Sequence, residues 1–348
     1  MRRVDLPARA VLEGVGGIGF IPLPPRRHVP TKKKTEQVEV VEVSEECRRY
    51  DGPLKEVVRP LCAKHGLRVL AAMNVVELAQ LLDRESELEK VEAVLSKIRQ
   101  LAGVAPRPVP ITEMLKIQRS LPVLKTGVAE FDEKTPWGGF RKGLIYGLAG
   151  EFGTGKSMFA AQCSIKAAIE GWRVVYIETE GALNTNVFEK IAKRFGSDLN
   201  SLMDRLTITQ AVDPLDVKDI LLWLQTQPVD LVVIDSFVSN ALRAQFRGRE
   251  KLAPRQQFLA YLMDILRRMA RVHGTASILT DQVIDVPEMF AKAKKPAGGN
   301  IYSQGANVLF MMFRYNKASP EGYMWPLDVP GMAPDVKIAY TIKDDGLY

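Results

Sequence analysis

The chain has 348 residues, 46% hydrophobic and 26% charged, with a formal net charge of +7. That length accommodates one large domain and a small one, and the composition excludes a fibrous or wholly disordered chain. No apolar run is long enough to span a bilayer, and Asp5, Arg9 and Glu13 interrupt any signal-peptide core, so the reading is a cytoplasmic protein without a membrane partner.

The excess of cations favours a polyanionic partner without identifying one. Cys47, Cys62 and Cys163 are few, odd in number and outside any C-x-x-C pair, and His28, His65 and His273 are equally scattered. No disulfide framework and no metal-binding cluster is therefore expected, as suits a reducing compartment.

In chain order, residues 1–50 read as a flexible extension. "GFIPLPPRRHVPTKKK" mixes prolines with basic residues and an acidic run follows it. "LEGVGG", Leu12 to Gly17, resembles the turn of a helix–hairpin–helix, but no helical pattern follows. Residues 51–103 read as a small helical domain. "NVVELAQLL" from Asn74 is a short amphipathic helix. Ser86 and Glu89 have capping-box spacing, and Leu88, Val91, Val94, Leu95, Ile98 and Leu101 share one face at helical period.

"GVAPRPVP" opens a linker over 104–118, because its prolines lack backbone donors and resist helix. From 119 to 348, apolar strands alternate with amphipathic helices. The strand candidates are "LIYGLAG", "RVVYIETE", "LTITQA", "VDLVVIDS", "TASILTDQ" and "NVLFMMF". Such alternation predicts an α/β core with a central, mostly parallel sheet.

"GEFGTGKS" matches the phosphate-loop pattern G-x-x-x-x-G-K-[ST] and lies between a strand and a helix, as that motif requires. Gly150, Glu151, Phe152, Gly153, Thr154 and Gly155 would turn backbone N–H groups toward phosphate oxygens. Lys156 would bring a cation to the β- and γ-phosphates, and the Ser157 hydroxyl would reach Mg²⁺. Asp235 ends an apolar strand where a carboxylate can hold the Mg²⁺ shell. Glu180, closing "VVYIETE", is the candidate general base. Glu178 competes with it. Strand alternation points both to one face, and position at the strand tip favours Glu180. Gln282, just after "SILTD", is placed to sense a γ-phosphate. ATP and Mg²⁺ are the expected ligands.

"RAQFRGREKLAPRQQ", Arg243 to Gln257, crowds cations directly after a buried strand, which also fits a solvated helix face. Arg243, Arg247, Arg249, Lys251 and Arg255, with Lys292, Lys294 and Lys295, are enough to neutralise several phosphates. Phe246 and Phe290 are the only aromatics of the two stretches, so base stacking would be minor.

With these motifs in order, residues 121–348 resemble the RecA-like recombinases, most closely the archaeal RadA group. "GEFGTGKS", "YIETE", "VVIDS", "RAQFRGREKLAPRQQ", "LTDQV" and "PAGGN" carry the resemblance. It implies a DNA-dependent ATPase of homologous recombination and repair. The stretch from Arg243 would be a first DNA-binding loop and Val283 to Asn300 a second. Single-stranded DNA, and duplex DNA during strand exchange, are the implied partners. "PLDVPGMAP" with Asp328 is similar to the segment that caps a neighbour's ATP in family filaments.

Three departures stand out. Asn184 and Val187 replace arginines that follow the catalytic Glu in the family, the first of which stacks on adenine. "PLKEVVRPL" replaces a glycine hairpin in the helical domain. Pro108, Val109, Pro110 and Ile111 align with the polymerisation motif F-x-x-A and supply neither key side chain. These leave open an accessory paralog that assists a recombinase, or a RecA-fold ATPase of another class such as a helicase or signalling kinase.

Overall fold

The computed structural model describes residues 44–287, 292–316 and 318–348. The N-terminal extension as far as residue 43, with its "LEGVGG" turn, and Phe290 lie outside them. The helical elements are α1 (Glu45–Arg48), α2 (Lys55–His65), α3 (Leu67–Ala72), α4 (Val75–Leu81), α5 (Leu88–Leu101), α6 (Ile111–Ser120), α7 (Ala129–Lys134), α8 (Lys156–Ile169), α9 (Thr185–Arg194), α10 (Pro214–Leu224), α11 (Asn240–Gln245), α12 (Leu252–His273) and α13 (Gly299–Gly305). The strands are β1 (Val123–Leu124), β2 (Phe140–Arg141), β3 (Ile145–Gly150), β4 (Val174–Glu178), β5 (Leu206–Gln210), β6 (Leu231–Asp235), β7 (Ala276–Pro287), β8 (Lys292–Pro296), β9 (Val308–Arg314), β10 (Glu321–Asp328), β11 (Ile338–Lys343) and β12 (Gly346–Leu347). No helix among the described residues is long and apolar enough to cross a membrane.

The six strands expected from sequence are β3, β4, β5, β6, β7 and β9, and they pair in parallel in the order β9-β3-β7-β6-β4-β5. β10, β11 and β12 extend this sheet in antiparallel fashion beyond β9. Because β3, β4 and β6 are covered on both faces, they read as continuous apolar runs rather than alternating ones. Successive side chains still go to opposite layers. Tyr146, Leu148, Val174, Tyr176, Leu231 and Val233 pack with Phe159 of α8 and Ile191 of α9. Ile145, Ala149, Val175, Ile177, Val232 and Ile234 pack with Leu221 of α10, Leu262 of α12 and Tyr302 of α13. The result is a RecA-like core with helices on both faces of the sheet.

Residues 47–104 form a separate hydrophobic cluster around Tyr50, Leu70, Leu78, Val91 and Ile98, joined by Val272 from the end of α12. Two local expectations fail here. Cys47 and Cys62 are joined by a disulfide between α1 and α2. Their pairing follows from helix packing that residue spacing does not encode, and closing a 15-residue separation constrains the unfolded chain by about 3 kcal/mol. Ser86 does not cap α5. That helix starts at Leu88 with no side-chain cap bond, because Glu87 turns to Arg84 and Lys90 instead. The capping box forms at α4, between Asn74 and Glu77. Residues 111–120, read from sequence as mostly linker, form α6, whose residues are all at least partly exposed.

A polar clamp holds the helical cluster to α12. Arg268 donates in bidentate fashion to Glu77, at 2.7 and 2.8 Å, and also to the Ala72 carbonyl and to Gln225 Oε1. The Tyr261 hydroxyl donates to Glu77 at 2.9 Å. Both charged side chains are nearly inaccessible, at 12% and 11% exposure, so neither can exchange its partner for water. Arg268 Nε also donates to Asp264 at 2.9 Å, so removing Glu77 would leave the buried guanidinium only this half-exposed carboxylate and strip it of two charge-assisted hydrogen bonds. Glu77→Ala is therefore expected to lower unfolding free energy by roughly 1.5–3 kcal/mol in urea denaturation. Glu45→Ala, which breaks an exposed pair with Arg49, should leave the midpoint unchanged.

Candidate nucleotide and nucleic-acid site

The phosphate-loop residues follow directly from the end of β3. Gly150 is the last residue of that strand, and a Cβ there would lie 2.6 Å from the Met312 carbonyl oxygen. Gly153 and Gly155 have φ of +78° and +91°, where side chains are strained, and Gly155 leads into α8. Thr154 Oγ1 donates to the Glu151 carbonyl at 2.9 Å, and Tyr340 Oη donates to the Thr154 carbonyl at 2.7 Å. Lys156 Nζ lies within this loop and donates to the carbonyls of Gly150 and Glu151 at 2.9 and 2.8 Å. Burial lowers its pKa to about 8 against the opposing pull of Asp235, Asp281 and Glu151. Phe152 projects outward, 97% exposed.

Strand register sets the opposing carboxylates. Glu178 is aligned with Asp235 across β4 and β6, and Gly150 with Gln282 across β3 and β7. Asp235 Oδ1 accepts from the Ser157 hydroxyl at 3.1 Å and from Thr280, and its Oδ2 accepts from Tyr176 at 2.5 Å. A hydroxyl and a carboxylate oxygen so close suit a hard cation that completes its shell with phosphate and water.

The alternation argument for Glu178 and Glu180 does not apply, because β4 ends at Glu178. Glu178 Oε1 instead accepts the backbone N–H groups of Glu180 and Ala182 and closes the turn. Glu180 lies beyond the strand, held by Ser236 Oγ at 2.8 Å and by two nitrogens of Asn240. Glu178, Glu180, Asp235 and Ser236 line a cavity of about 360 Å³ with Lys156, Ser157 and Gln282. Leu183, Asn184, Val187 and Phe188 form its more apolar wall. Asp328 ends β10, exposed, and does not line this cavity.

The basic residues do not form one class. Arg247, Lys251 and Lys295 are exposed. Lys294 is exposed but pairs with the Glu151 carboxylate in the phosphate loop. Arg255 is half-buried, and its Nε has no partner among the described residues. Arg243 points inward, donating from Nη2 to Asn240 Oδ1 at 3.0 Å and to Gln282 Oε1 at 3.1 Å. The side chains of Arg249 and Lys292 lie outside the described residues. Phe246 is half-buried and packs against Phe258 at 5.9 Å.

One functional group escaped the sequence reading. Asp281, inaccessible to solvent, accepts the N–H of Gln282 at 2.9 Å and of Gly298 at 2.7 Å. It thereby ties together the two ends of the β7–β8 hairpin. The signal was present in "SILTD", where an acid follows an apolar strand. Burial raises its pKa from 3.8 to about 7, opposed by those two N–H groups and by Arg243 and Lys156. The folded chain thus holds a proton that the unfolded chain releases at lower pH. This contribution to stability is full below the ordinary value of 3.8 and is lost as pH rises through about 7. Asp281→Asn lacks that dependence. In denaturation experiments the variant should gain on the parent by roughly 2–3 kcal/mol between about pH 5 and 8. A stability gap independent of pH would refute the assignment.

Comparison with known proteins agrees with this geometry. A family model described as Rad51 matches residues 118–348. A "DNA repair and recombination protein RadA" of Ignicoccus hospitalis is 28% identical over 301 residues, covering 81% of this chain and 89% of that protein. A protein of the same description from Aeropyrum pernix is 31% identical over 248 residues, 67% of this chain and 75% of that one. "Meiotic recombination protein DMC1 homolog A" of Oryza sativa subsp. japonica is 31% identical over 214 residues, 58% of this chain and 62% of that one. A phosphate loop, facing carboxylates and a sheet-edge glutamine in one cleft, matched over most of the chain by that family model, mean that this chain belongs to the Rad51 family.

Proposed function

We propose that the protein is an ATP- and Mg²⁺-dependent recombinase that binds single-stranded DNA and acts in homologous recombination and repair by strand exchange. The observation that carries this reading is the meeting of two chemistries at one sheet edge. The nucleotide cleft shares Gln282 with the root of the β7–β8 hairpin, and the stretch running from α11 into α12 leaves β6 just beyond Asp235.

In this reading the loop amides and Lys156 hold the phosphates. Ser157 and Asp235 hold Mg²⁺, which when bound neutralises charge on the β- and γ-phosphates. Glu180 takes a proton from the attacking water, and Gln282 touches the γ-phosphate. Leu183, Val187 and Phe188 offer the base an apolar surface in place of a stacking guanidinium. Arg247, Arg249, Lys251 and Arg255 with Lys292, Lys294 and Lys295 meet DNA phosphates, and bases stay uncovered for pairing because Phe246 is occupied by Phe258.

Weak self-association of the free protein is also part of this reading. Strand addition by a linker draws affinity from backbone pairing and register from buried side chains. Pro108 and Pro110 lack donors, no aromatic anchor is present, and Ile111 is 71% exposed. This favours assembly driven by ATP and DNA, or by a recombinase partner.

Hydrolysis should fall by about 10²-fold or more in Glu180→Gln with ATP binding retained. Parental turnover in that variant would refute the base. Lys156→Ala should weaken binding and turnover together. Affinity for single-stranded DNA should fall steeply with salt, and Arg247→Ala should flatten the slope by about 0.7. A salt-independent titration would remove the basic stretches from the DNA site. Light scattering without nucleotide should show monomers or small species, and stable rings or filaments would overturn the weakened linker.

A further inference from the structure

Among the polar contacts of the cleft, one side chain touches both halves of the proposed machinery and belongs to neither. Asn240 is the first residue of α11, the helix that opens the first basic stretch. Its backbone N–H donates to Glu180 Oε1 at 3.2 Å, and its Nδ2 donates to Glu180 Oε2. Its Oδ1 accepts from Arg243, whose same nitrogen donates to Gln282. Ser236 Oγ also donates to Glu180 Oε1, so that oxygen has both lone-pair directions filled. The carboxylate is therefore fixed in rotation, and only Oε2 keeps an acceptor direction for water.

From these contacts we propose that Asn240 is a positioning residue for ATP hydrolysis, linking Glu180 to Gln282 through Arg243 on the helix that leads into the DNA-binding stretch. This rests on the reading of Glu180 as base, Gln282 as γ-phosphate sensor and the cations beyond α11 as DNA contacts. A base is effective only when a third group holds it in line with the atom it deprotonates. Here that group is carried by a six-residue helix whose next turn bears Arg243. A shift of α11 on DNA binding moves the donors of Glu180 and the donor of Gln282 together. Arg243 accordingly serves as the link between Asn240 and Gln282 rather than as one more phosphate contact. Its inward course and its bonds to two side-chain oxygens set it apart from exposed Arg247.

The test is ATP hydrolysis by the full-length chain with and without single-stranded DNA. Asn240 is exposed, so Asn240→Ala is expected to fold like the parent. At saturating DNA its kcat should fall at least about tenfold, and stimulation by DNA should approach none, with KM for ATP and DNA affinity within about twofold of parent. Asn240→Asp still accepts from Arg243 but sets a second carboxylate against Glu180, and should lose as much. The double variant Asn240→Ala, Arg243→Ala should lose no more kcat at saturating DNA than the worse single variant, because the residues act in series. Parental stimulation in Asn240→Ala beside an inactive Glu180→Gln overturns the role of Asn240 and leaves the base standing. Parental turnover in Glu180→Gln overturns the base itself, and a parent whose turnover ignores DNA overturns the link.

Discussion

Parallel pairing in register is the constraint on which the rest of the molecule depends. It sets Gly150 beside Gln282 and Glu178 beside Asp235, so each strand delivers its polar residue at the same height. Carboxyl ends of parallel strands gather loops on one edge, where ligands can reach them. A one-residue slip would turn Tyr176 and Asp235 away from each other and send apolar side chains to the wrong layer. The two flanking cores forbid such a slip, because alternate residues of β3, β4 and β6 are committed to opposite faces. Packing energy in the interior thus fixes geometry in the cleft.

Much of this was legible in the sequence, for physical reasons. Doubly covered strands must be apolar throughout, so the six parallel strands stood out as short runs. The phosphate loop stood out because close backbone approach at Gly150 and positive φ at Gly153 and Gly155 require glycine. What stayed hidden depends on contacts distant in sequence. The strand β10 alternates burial around Pro326, an interrupted pattern that local reading does not resolve. The Cys47–Cys62 bond depends on how α1 meets α2. The inward course of Arg243 depends on Gln282, far along the chain, and its charge alone gave no direction.

The cleft is held together by carboxylates with distinct environments. Glu178 is consumed by two backbone amides, Asp235 by hydroxyls, Asp281 by the ends of a hairpin, and Glu180 by α11. Four acids within one small site would repel one another if they were equivalent. Different partners hold them in different places and leave them different roles.

The helix α12 has a consequence of a mechanical kind. It runs 22 residues without interruption, starting against the first basic stretch and ending with Val272 inside the helical cluster, where Arg268 is clamped. At about 1.5 Å per residue it is a rod of roughly 33 Å with a hand at each end. Each degree of tilt at the Leu252 end displaces the Val272 end by about half an ångström, by the same helical rise. The N-terminal helices therefore travel with α12, as a pointer travels with its axle.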